Sequence, residues 1–88
     1  MRIRQLLWDS ENIEHIAAHR VEMDEVEEVC YERNLIERVG GEKHAVLGQT
    51  AEGRYLFVIV ANRGAGECRV ITARDMTDAE QRRFSRRK

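Results

Sequence analysis

Proline is absent from the 88 residues, which leaves the turns to glycine. Cysteine is scarce. Cys30 and Cys68 lie 38 positions apart with no C-x-x-C spacing, which argues against a disulfide scaffold or a zinc site and for reduced thiols. No run of about 18 apolar residues occurs, so no membrane-spanning helix is expected. No charged-then-apolar N-terminal stretch marks a secretory signal, so the expected location is the cytoplasm. The aromatic residues are Trp8, Tyr31, Tyr55, Phe57 and Phe84, too few for a base-stacking platform of the usual kind. Repeats, linkers and low-complexity segments are lacking, and residues 1–88 read as one domain. A chain of this size buries about two-thirds of its unfolded surface. That permits one small core and excludes a large internal cofactor cavity, so neither cofactor nor metal is expected.

A strong charge of one sign is also missing. Fifteen Lys and Arg stand against 16 Asp and Glu, a formal net charge of −1, which at first excludes a nucleic-acid binder. The distribution reverses that inference. From Asp9 to Glu32 there are nine acidic residues and one basic residue, Arg20; from Arg69 to Lys88 there are seven basic and three acidic. Potential is local, screened over about 8–10 Å at physiological salt. A basic working surface and an acidic back are compatible with a net charge near zero.

What is present is a change of period along the chain. Residues 3–8 read as a strand. Asp9 and Ser10 are good helix N-caps, and Ile13, Ile16 and Ala17 at helical spacing predict a short helix over 11–19. A second helix is predicted over 23–32, with Val26, Val29 and Cys30 as its apolar stripe and glutamates off that stripe. Strands follow at 34–39 and 43–49 around Gly40-Gly41, a hairpin signal. Residues 54–61 are apolar on both faces and predict a central strand, and 67–74 alternate as the last strand. Thr77-Asp78-Ala79-Glu80 has the capping-box form and opens a basic C-terminal helix. The order β-α-α-β-β-β-β-α, with consecutive hairpins, predicts an α+β domain: an antiparallel sheet with two N-terminal helices and a C-terminal helix.

Three constellations can carry chemistry. Asn12, His15 and His19 fall within about 60° of one another on the first helix, on a stripe predicted to lie away from Ile13, Ile16 and Ala17. They suit a polar active site or, with a third ligand brought in by the fold, a metal; the plain alternative is helix capping and packing. Arg54, Arg69 and Arg74, with Lys43 and His44 on the preceding strand, suit a forked phosphate site if they converge on one edge. An ordinary solvated sheet face bonded to the acidic helices accounts for them equally. Alternation of side chains predicts Arg69 on one face with Ile71 and Ala73. Arg82, Arg83, Arg86, Arg87 and Lys88 put five cations in seven positions, more than a helix C-terminus needs, and suit a polyanion or an acidic partner. Cys30 lies on the core stripe of an acidic helix, which predicts a raised pKa and an inert thiol. Gly64-Ala65-Gly66 leads into a strand and is no phosphate-cradling loop.

Taken together the string resembles the BrnT-like toxins. Trp8-Asp9, Asn12-x-x-His15-x-x-x-His19-x-Val21 and Glu25-Val26-Glu27-Glu28-Val29 resemble the N-terminal half of that family. Leu47-Gly48-Gln49-Thr50-x-x-Gly53-Arg54 and Arg69-Val70-Ile71-Thr72-Ala73-Arg74-x-x-Thr77, with Glu80, Arg82 and Arg83 beyond, resemble the second half. The likeness spans residues 8–84. It implies a RelE-like fold and a ribonuclease toxin of a type II toxin–antitoxin pair, which cleaves RNA, halts translation and is neutralised by a cognate antitoxin of ribbon-helix-helix type. The chain departs from the pattern at Arg20, where the family often has glycine; at Asn12 and Glu14, where a basic residue is common; and at Phe84, which replaces a late-helix tyrosine.

Metal-independent RNA cleavage uses the substrate's 2′-hydroxyl as nucleophile. It needs a base for that proton, cations for the phosphorane charge and an acid for the leaving 5′-oxygen. On this footing Arg54 and Arg74 are the candidates for phosphate stabilisation, and His44 or His19 for the proton carrier. Lys43, Arg69, Arg82, Arg83 and Arg86 are the candidates for RNA binding. By the resemblance Arg54, Arg69, Arg74 and Glu80 occupy motif positions, Glu80 with a cap as its simplest role. The competing expectation is a non-catalytic RNA- or protein-binding module of the same fold. Homo-oligomerisation is left open by the sequence.

Overall fold

The computed structural model describes residues 1–87. The chain forms β1 (Gln5–Leu7), α1 (Ser10–Ala17), α2 (Met23–Tyr31), β2 (Asn34–Gly40), β3 (Lys43–Gln49), β4 (Tyr55–Gly64), β5 (Glu67–Asp75) and α3 (Asp78–Arg87). These are the elements that the periodicity predicts, in the predicted order, with shifted ends. The sheet order is β1-β5-β4-β3-β2. β4, the strand apolar on both faces, is the middle one. Its Leu56, Val58 and Val60 enter the core beneath α1 and α2, and its Tyr55, Phe57 and Ile59 pack against the smaller cluster beneath α3.

One topological expectation is corrected. β2 to β5 form an antiparallel meander, but β1 lies parallel to β5, with Leu6 opposite Cys68. Hairpin logic governs only strands adjacent in sequence. β1 is separated from β2 by two helices, and that long connection carries the chain across to the far edge.

The larger core joins Ile16 and Val21, from α1 and the turn after it, to Val26, Val29 and Cys30 of α2 and the facing sheet residues. Burial, with smaller contributions from Cys68 and Glu27, pushes the Cys30 thiol up to about 12. The thiol is protonated and shielded, as its place on the core stripe predicts. α2 packs closely on β3: a Cβ at Gly48 would lie 2.8 Å from Val29 Cγ1, so glycine there allows the approach.

Two backbone details position the site. α1 ends in a Schellman turn, in which Val21 N–H donates to Ile16 O at 3.1 Å and Arg20 N–H to Ala17 O at 2.9 Å. Arg20 has φ 60°, the left-handed conformation usual for glycine at this place. It is also where the BrnT-like pattern often has glycine. Separately, β5 carries one extra residue, Ile71, between Val70 (opposite Val60) and Thr72 (opposite Ile59). This bulge reverses the alternation. Cys68, Val70 and Ala73 all reach the larger core, and Arg69, Thr72 and Arg74 fall on the other face. The expected sharing of a face by Arg69 and Ala73 fails for this reason.

Candidate nucleic-acid site

Strand register assigns the basic residues to faces. Lys43 lies opposite Ala61, which lies opposite Arg69; two rows on, Leu47 lies opposite Phe57, which lies opposite Arg74. Lys43, Arg69 and Arg74 therefore share the face that carries α3, with Arg82, Arg83 and Arg86 on that helix. Arg54 turns the other way. Its Nη1 donates to Arg20 O at 2.7 Å and to Glu25 Oε1 at 3.0 Å, its Nε to Asp75 Oδ1 at 2.8 Å and its Nη2 to His19 O at 3.5 Å. Asp75, and then Glu25, raise its pKa against the opposing effect of burial. Arg54 thus staples the α1–α2 turn to the sheet, and Arg54 and Arg74, expected to act together, lie on opposite faces. His44 stands opposite the core residue Val60, with Nδ1 3.3 Å from Glu42 O; it does not join the arginines of the α3 face.

The edge of β5 beyond the end of β1 is built differently. Asn12, expected on an exposed stripe, is buried. Its Nδ2 donates to Leu7 O at 3.0 Å and Val70 O at 3.1 Å, taking over the edge bonding where β1 stops. Its Oδ1 accepts from Asp9 N–H while Asp9 caps the helix. The inward face of α1 is therefore Asn12 and Ile16, with Ile13 half-buried and Ala17 exposed. The misplacement arose because an asparagine satisfying two carbonyls is as well accommodated inside as an apolar side chain.

His15 on α1 and His19 in the turn after it are exposed, with ring centroids 5.9 Å apart. Arg69 bonds Asp9, and its Nη2 donates to Glu11 Oε1 at 2.8 Å. The Arg69 guanidinium holds the Asp9 carboxyl below the usual range. Glu11 is 85% exposed, so its pairing is a weak one that a phosphate can displace. Glu11, Asn12, His15, Arg69, Val70 and Ile71 line a cleft of about 300 Å³. The sequence had placed His15 beside His19, but had not selected it as the proton carrier. The spacing from His15 to His19 was the available signal; the approach of Arg69 depends on where β1 stops.

On the α3 face, Arg74 donates from Nη1 and Nη2 to Glu80 Oε1 and Oε2 at 2.9 and 3.0 Å, and from Nη1 to Asp75 O at 3.0 Å. Its guanidinium carbon stands 4.2 Å from the centroid of Phe57. Glu80 also closes the predicted capping box: Thr77 N–H donates to Glu80 Oε1 at 2.9 Å, and Glu80 N–H donates to Thr77 Oγ1 at 3.2 Å. Arg74, followed by Thr77, lowers the Glu80 pKa, which makes this carboxylate a poor proton acceptor. Arg83 forks onto Glu37 at 2.7 and 3.0 Å. Lys43, Arg82 and Arg86 have no ion-pair partner among the described residues. Phe84 is buried, edge-on to Tyr55 at 6.2 Å. Lys88 and the side chain of Arg87, which the sequence adds to the basic set, lie outside the described residues.

Among the described residues no three His, Cys, Asp or Glu side chains are arranged to hold a metal ion, and no helix is long and apolar enough to cross a membrane. A family model described as the ribonuclease toxin BrnT of type II toxin–antitoxin systems matches residues 8–80. The fold is similar to that of the crystal structure of the Brucella abortus ribonuclease toxin BrnT. The TM-score is 0.68 at 17% identity, covering 84% of this chain and 97% of that one. No curated protein sequence matches.

Proposed function

Because this chain belongs to the BrnT family of ribonuclease toxins of type II toxin–antitoxin systems, we propose that it cuts RNA in the cleft between α1 and β5, with His15 and His19 moving protons and Arg69 holding the phosphate. The observation that carries this reading is the His15–His19 pair, 5.9 Å between centroids, with His15 in the cleft it shares with Arg69, one of whose two carboxylate partners, Glu11, is almost fully solvated. In the reaction one imidazole takes the proton of the 2′-hydroxyl, the 2′-oxygen attacks phosphorus, and the P–O5′ bond breaks. The other imidazole protonates the departing 5′-oxygen, leaving a 2′,3′-cyclic phosphate and a 5′-hydroxyl. Imidazole suits both roles near neutral pH, and Arg69 meets the charge that grows on the phosphorane. DNA lacks the nucleophile. Lys43, in the same row as Arg69, and Arg82 and Arg86 on α3 attract the flanking phosphates.

This reading includes a RelE-like fold, RNA cleavage in the cytoplasm that halts translation, and an antitoxin of ribbon-helix-helix type. Purified protein is expected to cut RNA in the presence of EDTA. His15→Ala and His19→Ala should each slow cleavage about 10²–10⁴-fold with unchanged circular dichroism. Intact RNA, free and ribosome-bound, at high protein concentration refutes the proposal. Undiminished cleavage by both histidine variants removes this cleft from the reaction.

A further inference from the structure

Arg74 is not free to act as a phosphate fork. Both terminal nitrogens are spent on Glu80, one of them also on a backbone carbonyl, and the carboxylate neutralises the charge. Glu80 is itself locked by the capping box at the start of α3, with its side chain only 13% exposed. Freeing Arg74 for a phosphate would break both arrangements.

What the arrangement does provide is a rigid plane. The guanidinium lies on Phe57, its donor edge is pinned, and yet 38% of the Arg74 side chain is exposed. With one face against Phe57 and both terminal nitrogens engaged, the opposite face and Nε are the parts of the group left without a partner among the described residues. Arg74, Thr72 and Arg69 succeed one another along the same face of β5. The other aromatics have partners of their own, Tyr55 standing edge-on to Phe84. Phe84 is buried, Trp8 is tied to Glu27, and Tyr31 accepts a bond from β1 at Leu6 N.

We propose that the Arg74 plane, backed by Phe57, is a stacking platform for one unpaired RNA base, and that it sets which nucleotide lies beside the cleft. Unstacked bases in single-stranded RNA are read on arginine planes as well as on aromatic rings. The ring beneath and the carboxylate at the edge fix the plane before RNA arrives. The inference rests on the ribonuclease reading for its substrate class, but it assigns Arg74 to base selection and not to phosphate charge.

The probe is a set of short single-stranded 2′-O-methyl oligonucleotides, which lack the nucleophilic hydroxyl, each with 2-aminopurine at one position. Binding to the unaltered protein should quench the fluorophore strongly at one position. Arg74→Lys, which keeps the charge for Glu80 and loses the plane, should abolish that quenching and weaken binding about tenfold. Phe57→Leu should reduce the quenching while leaving the fork to Glu80. In Arg74→Gln the slope of log affinity against log salt should stay unchanged. Quenching that persists in Arg74→Lys, a slope that falls by about 0.7 in Arg74→Gln, or no position-specific quenching in the unaltered protein overturns the platform. Cleavage of unmodified RNA in the same buffer separates the two proposals. Cleavage without quenching sinks the platform alone, and quenching without cleavage sinks the nuclease reading alone.

Discussion

The two faces of the sheet are sealed unequally. Fourteen buried residues lie in the core beneath α1 and α2, against four in the cluster beneath α3. Arginine behaves differently on each. Arg54, on the sealed side, meets two carbonyls and two carboxylates and ties a turn to the sheet. Arg69, Arg74 and Arg83, on the open face, pair with carboxylates and tie no turn to the sheet. The contrast teaches that a basic residue in a family motif is assigned to folding or to substrate by the layer it faces, and that one bulge is enough to change the layer.

The largest test of the contrast is in the cores. Leu56→Ala empties a fully buried site in the middle strand and should cost about 2–5 kcal/mol, seen as a lower denaturant midpoint with an unchanged m-value. Met76→Ala, at the rim of the smaller cluster, should cost less than half as much, because neighbours there can close in. Equal losses would erase the distinction between the faces.

Arg54→Ala should come next. It removes the donor shared by the carbonyls of His19 and Arg20 and the carboxylates of Glu25 and Asp75, for about 1–2 kcal/mol, since water replaces part of what is lost. The Arg83→Ala exchange removes a surface fork and should leave the melting temperature nearly in place. A destabilised Arg83→Ala with an unaffected Arg54→Ala would reverse the assignment of staple and working surface.

Acid sensitivity sharpens the same division. Glu80 and Asp9 have carboxyl pKa values lowered in the folded state, chiefly by Arg74 and Arg69. A lowered folded pKa means stability that is present in full above about pH 5 and lost as pH falls through the folded value. Glu80→Gln should therefore flatten the loss of stability as pH falls below about 5. Urea midpoints across that range measure it; an acid limb identical to that of the unaltered protein would show that the Arg74–Glu80 fork holds nothing in solution.

Much of the fold was legible because it follows from local rules. The two-residue connection to Lys43, the capping box at Thr77 and the doubly apolar run in β4 each depend on a few neighbours. The parallel pairing of β1 depends on residues some 60 positions away, so no local period carries it. The site was less legible for the same reason. The register brings Arg69 and Arg74 to one face and sends Arg54 to the other, and Ile71, an ordinary β-branched residue, gives no sign in sequence that it is the unpaired one. Asn12 was read by polarity, and only the end of β1 explains its burial.

The smallest expected effect is at Arg20, and it runs opposite to the others. An L-residue held at φ 60° pays a steric penalty that glycine escapes. The Schellman bonds around it and the bond from Arg54 all use backbone atoms, so they survive loss of the side chain. Arg20→Gly should stabilise by about 0.5–1 kcal/mol, after the extra backbone entropy glycine loses on folding, or several degrees in melting temperature for a chain of this size. RNA affinity should not change, since the Arg20 side chain has no assigned role and only its backbone carbonyl is used, by Arg54. A stabilised variant whose affinity falls would mean that the Arg20 side chain reaches substrate. The working surface would then run past His19 to Arg20, and the boundary between the two faces would have to be redrawn around the C-terminal end of α1.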